Sequence, residues 1–376
     1  MPFWSGFAAE TATAKEYEQE ELSTESFLDG EGPLRGSLLL PAGKEKLPWV
    51  VLLAEHEDSR EALLPTARRL TEKGVGALVV DPRGSGDSGG RGDAGGREVG
   101  DVLDLIRTAE EEQFDRLDPD RLGILGYGVH GGATALATAV RAPMKFRSIA
   151  VFSGVHDLAA WARKDPSAGS WVDEAMGPDG VPAVRSTRSA IGNVRQTKIH
   201  LFWDADLESP LPDMNRDFLR AAEKRVMPNI EGHESRPGGL IRWGAGYPEN
   251  VPALATAEDF VLGEVISDAP GPKLPVKGRL KVPGFVITPV FTVVPGQGDR
   301  EVLDLGYAIE PGRLDFDFGQ TDRDVRGWIE IDADGFDFPV TILQSDQEIA
   351  KFEKPAARIR LEDQRLSGKI SFRSST

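Results

Sequence analysis

The sequence predicts a doubly wound, mostly parallel α/β domain with a cap insertion, followed by an all-β, sandwich-like domain. Three observations carry this expectation. Short continuous apolar runs such as Trp49-Val50-Val51-Leu52-Leu53 alternate with amphipathic helical stretches, the pattern of strands covered by helices on both faces. Three prolines in the seven residues 269–275 break the chain, because proline cannot continue a helix. Beyond them, β-like runs are punctuated by the turn signals Pro295-Gly296, Pro311-Gly312 and Asp334-Gly335.

Element by element, the polar stretch 10–21 reads as a loose lead-in or a first edge strand. Residues 36–40 read as a strand ending at Pro41, and 49–53 as a buried parallel strand. A helix is expected over 60–73, where Leu63, Leu64, Ala67 and Leu70 share a face and Gly74 is the stop. Strand 76–80 and helix 99–112 follow, the latter with Val102, Leu105, Ile106 and Ala109 on one side. The strand 122–126 leads into a small-residue helix over 131–142. Strands are then expected at 147–152 and 198–203, with a cap over about 156–197 that carries Trp161 and Trp171. A helix ends over 219–226, a last strand is expected at 239–243, and a last helix at 251–266. The organisation is therefore 1–268, a linker at 269–275, and 276–376. In the final part, Leu314-Asp315-Phe316-Asp317-Phe318 alternates strictly, as a strand with one face buried must.

The bulk numbers exclude several classes. A formal charge of −17 over 376 residues opposes a nucleic-acid groove, which needs a basic stripe. No cysteine is present, so disulfides, thiolate metal sites and cysteine nucleophiles are ruled out. The start, Met1 to Phe7, has no basic region leading into an apolar core, so no signal peptide is expected. No run approaches the roughly 18 apolar residues of a membrane helix. A cytoplasmic location without a membrane span is the expectation.

The segment 122–132, Leu-Gly-Ile-Leu-Gly-Tyr-Gly-Val-His-Gly-Gly, has the form of a buried strand, a sharp turn and a glycine-rich helix start. Asp81-Pro82-Arg83-Gly84-Ser85-Gly86-Asp87-Ser88 is similar to a D-x-R-G-x-G-x-S loop, and Ser153-Gly154-Val155-His156-Asp157 to an S-G-x-x-D segment. With the opening strands, these landmarks make residues from about 20 to 268 resemble the α/β-hydrolase superfamily, in particular its dienelactone-hydrolase and small-esterase branch. The last hundred residues lie outside the resemblance.

The resemblance implies a serine on the strand-to-helix turn, in the pattern G-x-S-x-G. Gly128 stands there, which removes the nucleophile together with the strain of holding a side chain at positive φ. Val129 and His130 follow, and a bulky His130 is expected to crowd the turn. The oxyanion segment, normally H-G, is Ala54-Glu55-His56-Glu57-Asp58, and a carboxylate at Glu55 opposes a developing oxyanion. Tyr247, in Gly244-Ala245-Gly246-Tyr247, occupies the base position. The acid position after strand 198–203 retains Asp204 or Asp206, with Asp206 taken as the triad equivalent. No intact triad is therefore expected at Gly128, Asp206 and Tyr247.

Other chemistry finds less support. His56, His130, His156 and His233 are expected near one rim with Glu55, Asp157, Asp204 and Asp206, but they form no compact ligand motif, so no metal and no cofactor are expected. The glycine-rich stretch 84–100 lacks the phosphate-binding pattern G-x-x-x-x-G-K-[ST] and reads as a loop that Ser85 and Ser88 stabilise. The sequence thus points to a catalytically inactive α/β-hydrolase relative. It would be a binding or assembly module for an unidentified protein partner or for self-association, through an exposed sheet edge of the second domain, with room for a small molecule in a vestigial pocket. Two alternatives stay open: an active hydrolase on esters or lactones with a displaced nucleophile, and a non-catalytic small-molecule sensor.

Overall fold

The computed structural model describes residues 17–374 except residues 31, 44–45, 56–57, 93–94, 166–189, 206–208, 236–251, 297–301 and 320–324. Its first part is built on eight strands: β1 (Tyr17–Thr24), β2 (Leu34–Pro41), β3 (Leu47–Leu53), β4 (Gly76–Val80), β5 (Leu117–Tyr127), β6 (Ser148–Phe152), β7 (Lys198–Asp204) and β8 (Ile230–Ser235). They form one sheet in the order β1-β2-β4-β3-β5-β6-β7-β8. The pairs β1–β2 and β2–β4 are antiparallel, and every pairing from β4 to β8 is parallel. This is the α/β-hydrolase fold, as the sequence led us to expect.

The central strands are apolar because both faces are covered. Along β3, Trp49, Val51 and Leu53 enter one hydrophobic cluster while Val50 and Leu52 enter the other. Helices α2 (Glu98–Glu112), α3 (Gly128–Arg141) and α5 (Leu211–Lys224) pack in the first cluster. Helix α1 (Leu64–Glu72), entered through a 3₁₀ turn at Arg60–Leu63, and α6 (Pro252–Ile266) cover the other face. A short α4 (Leu158–Lys164) and a 3₁₀ turn (Ile191–Val194) flank residues 166–189, so the cap expected there lies largely outside the described residues.

Two sequence expectations are corrected. Helix α3 begins at Gly128, three residues earlier than expected, because the turn itself is the helix start. The last strand of the sheet is Ile230–Ser235, in a stretch read as loop, while residues 239–243 lie outside the described residues. An edge strand needs only one apolar neighbour, so its Glu231, His233, Glu234 and Ser235 gave no period to read.

The second part is wholly antiparallel. Strands β9 (Lys277–Pro283), β12 (Val302–Glu310), β13 (Arg313–Phe318), β15 (Val340–Gln344), β16 (Gln347–Phe352) and β18 (Gly368–Ser374) form a six-stranded sheet. Strands β10 (Val286–Ile287), β11 (Phe291–Pro295), β14 (Arg326–Asp332) and β17 (Arg358–Arg365) form a four-stranded one. As the alternation requires, Leu314, Phe316 and Phe318 are buried, and Phe316 meets Phe291 edge-on with ring centroids 5.0 Å apart.

The two parts are joined by specific polar contacts. The buried Arg141 at the end of α3 donates to the Pro283 carbonyl at 2.6 Å, and its guanidinium lies 5.5 Å from the Phe285 ring centroid. Asn193 donates to the Lys281 carbonyl at 2.7 Å and accepts from the Lys281 N–H at 3.0 Å.

Candidate active site

The site is built at the C-terminal ends of the parallel strands, where folds of this kind bind ligands. Strand β5 ends at the fully buried Tyr127, and Gly128 turns the chain with φ +73° into α3. A side chain at that φ is strained by about 1–3 kcal/mol, and glycine carries no such cost. The turn is pressed against the end of β3: a Cβ on Gly131 would overlap the carbonyl oxygens of Leu53 and Ala54.

That proximity places the segment after β3 over the start of α3. The Glu55 carboxylate accepts the His130 backbone N–H, its two oxygens at 3.2 and 3.3 Å. The positive end of a helix favours an anion there. Glu55 therefore sits where the turn offers its amides. Val129, beside it, is 6% exposed.

His130 does not crowd the turn, contrary to the sequence expectation. Its ring points away into the space between β3 and α2, where its Nε2 lies 2.8 Å from Glu98 Oε2 and both side chains are buried. Glu98 also accepts the Gly95 N–H at 2.9 Å, which fixes the carboxylate. Sequence reasoning missed Glu98, since it lies 32 residues from its partner and reads as an ordinary acidic residue of a helix's first turn.

The loop 81–88 is held by the interactions its residue types suggest. Ser88 Oγ donates to the Asp81 carbonyl at 3.1 Å and accepts the Arg35 N–H at 2.9 Å, while Ser85 Oγ donates to the Asp58 carbonyl at 3.1 Å. Asp81 accepts the Asp87 N–H and pairs with Arg60. Arg83 is buried and grips Asp101 in a two-pronged contact, both bonds 2.6 Å, with Asp29 beyond at 2.9 Å. These serines are structural parts of the loop.

The neighbouring strand contributes a group that the sequence reading did not place in the site. Tyr127 pairs with Phe152 across β5 and β6, so Gly128 and Ser153 are the next residues on two adjacent strand ends. Ser153 is buried and holds φ +55°, left-handed backbone that serine rarely adopts. Three residues further along, His156 is buried with its ring stacked on Phe218, centroids 4.5 Å apart. Asp157 caps α4 through the Ala160 N–H at 2.8 Å, a structural role. Asp204 ends β7 on the same rim. The sequence-named His56, Asp206 and Tyr247 lie outside the described residues.

A cavity of about 630 Å³ lies between the two parts of the chain at the opposite ends of the strands, beside Asp120, Lys145 and Trp328. A small space of about 20 Å³ touches His130 and Glu98.

Residues 65–207, less than half of the chain, match the model of the prolyl oligopeptidase family, peptidase S9. The structure is similar to a putative dipeptidyl aminopeptidase IV from Bacteroides ovatus, with 15% identity, TM-score 0.52, and coverage of 67% of this chain and 36% of that one. It is also similar to a puromycin-hydrolysing peptidase of Mycobacterium tuberculosis, with 18% identity, TM-score 0.52, and coverage of 68% and 40%. A fungal esterase from Rhizomucor miehei matches with 16% identity, TM-score 0.51, and coverage of 68% and 84%. This chain thus spans only 36% and 40% of the length of the two peptidases, and at these identities the likeness is one of fold. No curated protein matches the sequence. Among the described residues, no helix is long and apolar enough to cross a membrane.

These matches correct the functional expectation. The reading as an inactive binding or assembly module rested on the missing serine at Gly128. The peptidase-family match spans that position and the sheet around it, so a missing serine at Gly128 does not make the chain inactive.

Proposed function

We propose that the chain is a hydrolase of carbonyl-centred bonds, ester or peptide, whose nucleophile has moved from the apex of the turn to the next strand end. The observation that carries the proposal is the pairing of two unusual backbones. Gly128 keeps the turn at φ +73° without a side chain, while Ser153, one strand over, holds φ +55° with a hydroxyl. Adjacent strands lie about 4.8 Å apart, so the hydroxyl is displaced by a single strand spacing. Serine in left-handed backbone costs about 1–3 kcal/mol, a strain that clusters at functional positions.

In this mechanism Ser153 Oγ forms a bond to the substrate carbonyl carbon and its proton passes to a base on the rim, with His156, three residues along the chain, as the first candidate. The amides at the start of α3 meet the resulting oxyanion, once the substrate has displaced the Glu55 carboxylate from the His130 N–H. Collapse expels the alcohol or amine, which takes up the proton. Water then repeats the sequence on the acyl-Ser153 ester and releases the acid. Family resemblance supports the bond class, with the peptidase match favouring amides and the esterase branch favouring esters.

The test is hydrolysis of activated esters and chromogenic aminoacyl amides by the wild type, Ser153→Ala and Ser85→Ala. The proposal expects turnover in the wild type and Ser85→Ala and none in Ser153→Ala. Equal turnover in all three would overturn the assignment of Ser153, and no turnover in any would overturn the hydrolase.

A further inference from the structure

The edge of the large sheet carries a second cluster, remote from Gly128 and belonging to neither the turn nor the rim. His200 pairs with Glu231, and Phe202 with His233, across β7 and β8, so all four side chains share the face covered by α6. His200 is buried, His233 half-buried, and the Glu231 side chain is 51% exposed. Phe260 of α6 stacks on His200 with centroids 4.3 Å apart, and Phe202 stacks on His233 at 4.5 Å. The rings are thereby held so that His200 Nδ1 faces His233 Nε2 at 3.1 Å, with Glu231 Oε2 3.9 Å from His200 Nδ1. One ligand atom from each of the three lies within 4.8 Å of the others.

We infer that His200, His233 and Glu231 form a binding site for a single divalent transition-metal ion of the zinc type. Zinc–nitrogen bonds of about 2.0–2.1 Å to two nitrogens 3.1 Å apart subtend an angle of about 100°, close to tetrahedral. The spacing of the two imidazole nitrogens already suits one ion. Glu231, on the solvent side, is exposed and must swing inward to complete the set. Burial pushes His200 down to about 4, and burial also lowers His233. Two imidazoles and a carboxylate suit zinc, cobalt(II) or iron(II), and leave a remaining position open to water.

The surroundings also set the strength. Metal on His200 Nδ1 places the ring proton on Nε2, a buried atom with no hydrogen-bond partner among the described residues. Ligating histidines bind best when that second N–H is accepted, so micromolar rather than nanomolar affinity is expected. The ion would clamp edge strand β8 to β7 and stabilise the fold by linkage. It sits mid-strand on the α6 face, so it takes no part in the chemistry proposed at the rim.

The test uses tag-free full chain, stripped with chelator and titrated with Co(II) and Zn(II) at neutral pH by visible absorption and calorimetry, with a thermal melt alongside. The expected result is one ion per chain with Co(II) bands of low coordination number, and a melting temperature raised by Zn(II). His233→Asn should abolish binding, and Glu231→Gln should weaken it by roughly tenfold or more, while both melt like wild type without metal. Absence of binding at hundreds of micromolar would overturn the site. So would equal binding in a His233→Asn/Glu231→Gln double variant, which would place the ion elsewhere.

Discussion

Two buried histidines, His130 at the centre of the sheet and His200 at its edge, meet the same cost with different partners. His130 faces a buried carboxylate, Glu98, that is itself held by the Gly95 N–H. His200 faces another imidazole, with the carboxylate of Glu231 further off and in solvent. A carboxylate partner completes the hydrogen bond and locks the ring, which makes the pair structural. Two imidazoles have two lone pairs and one shared proton between them, and a cation can replace that proton. Partner type therefore separates a packing histidine from a ligand, where burial alone does not.

The largest expected effect tests the central pair. Glu98→Ala leaves a buried imidazole and a buried N–H without their acceptor, and should cost about 3 kcal/mol in urea unfolding. A loss below about 1 kcal/mol would mean that His130 finds its support elsewhere. Next, Gly128→Ala should cost about 1–2 kcal/mol, since it forces a Cβ into φ +73°. Ser153→Gly should act in the opposite sense and gain about 1 kcal/mol in the same measurement by relieving the strained backbone, while removing any ester turnover. A destabilised Ser153→Gly would show that the serine is held there for packing. The smallest effect belongs to the edge: metal-free His233→Asn should unfold within about 1 kcal/mol of wild type, because the site is half open to water. A larger loss would make the imidazole pair a structural element like the first.

Much of the scaffold was legible because its rules are local. The runs 49–53, 76–80 and 122–126 carry no polar side chain, and each became a central strand. The strict alternation at Leu314–Phe318 likewise became β13. Edge strands were harder, since β1 carries Glu18, Glu20 and Glu21, and β8 carries Glu231, His233 and Glu234, with no period to betray them. Missing β8 also hid the cluster, because the i, i+2 relation of Glu231 and His233 means a shared face only in a strand. In the site, Gly128 and Glu55 were legible as departures from a familiar pattern. Glu98 was not, as pairing across 32 residues is set by how α2 and α3 pack. Nor was the left-handed backbone of Ser153, for which serine has no signature. The inference from a missing serine to a missing activity is overturned at the same place, because the peptidase-family match runs through that turn.

The most direct measurement is the mass-mapped adduct of a fluorophosphonate probe with the full chain. The account predicts one covalent adduct per molecule, located on Ser153 and absent from Ser153→Ala. An unlabelled protein, or an adduct on any other serine, would contradict it.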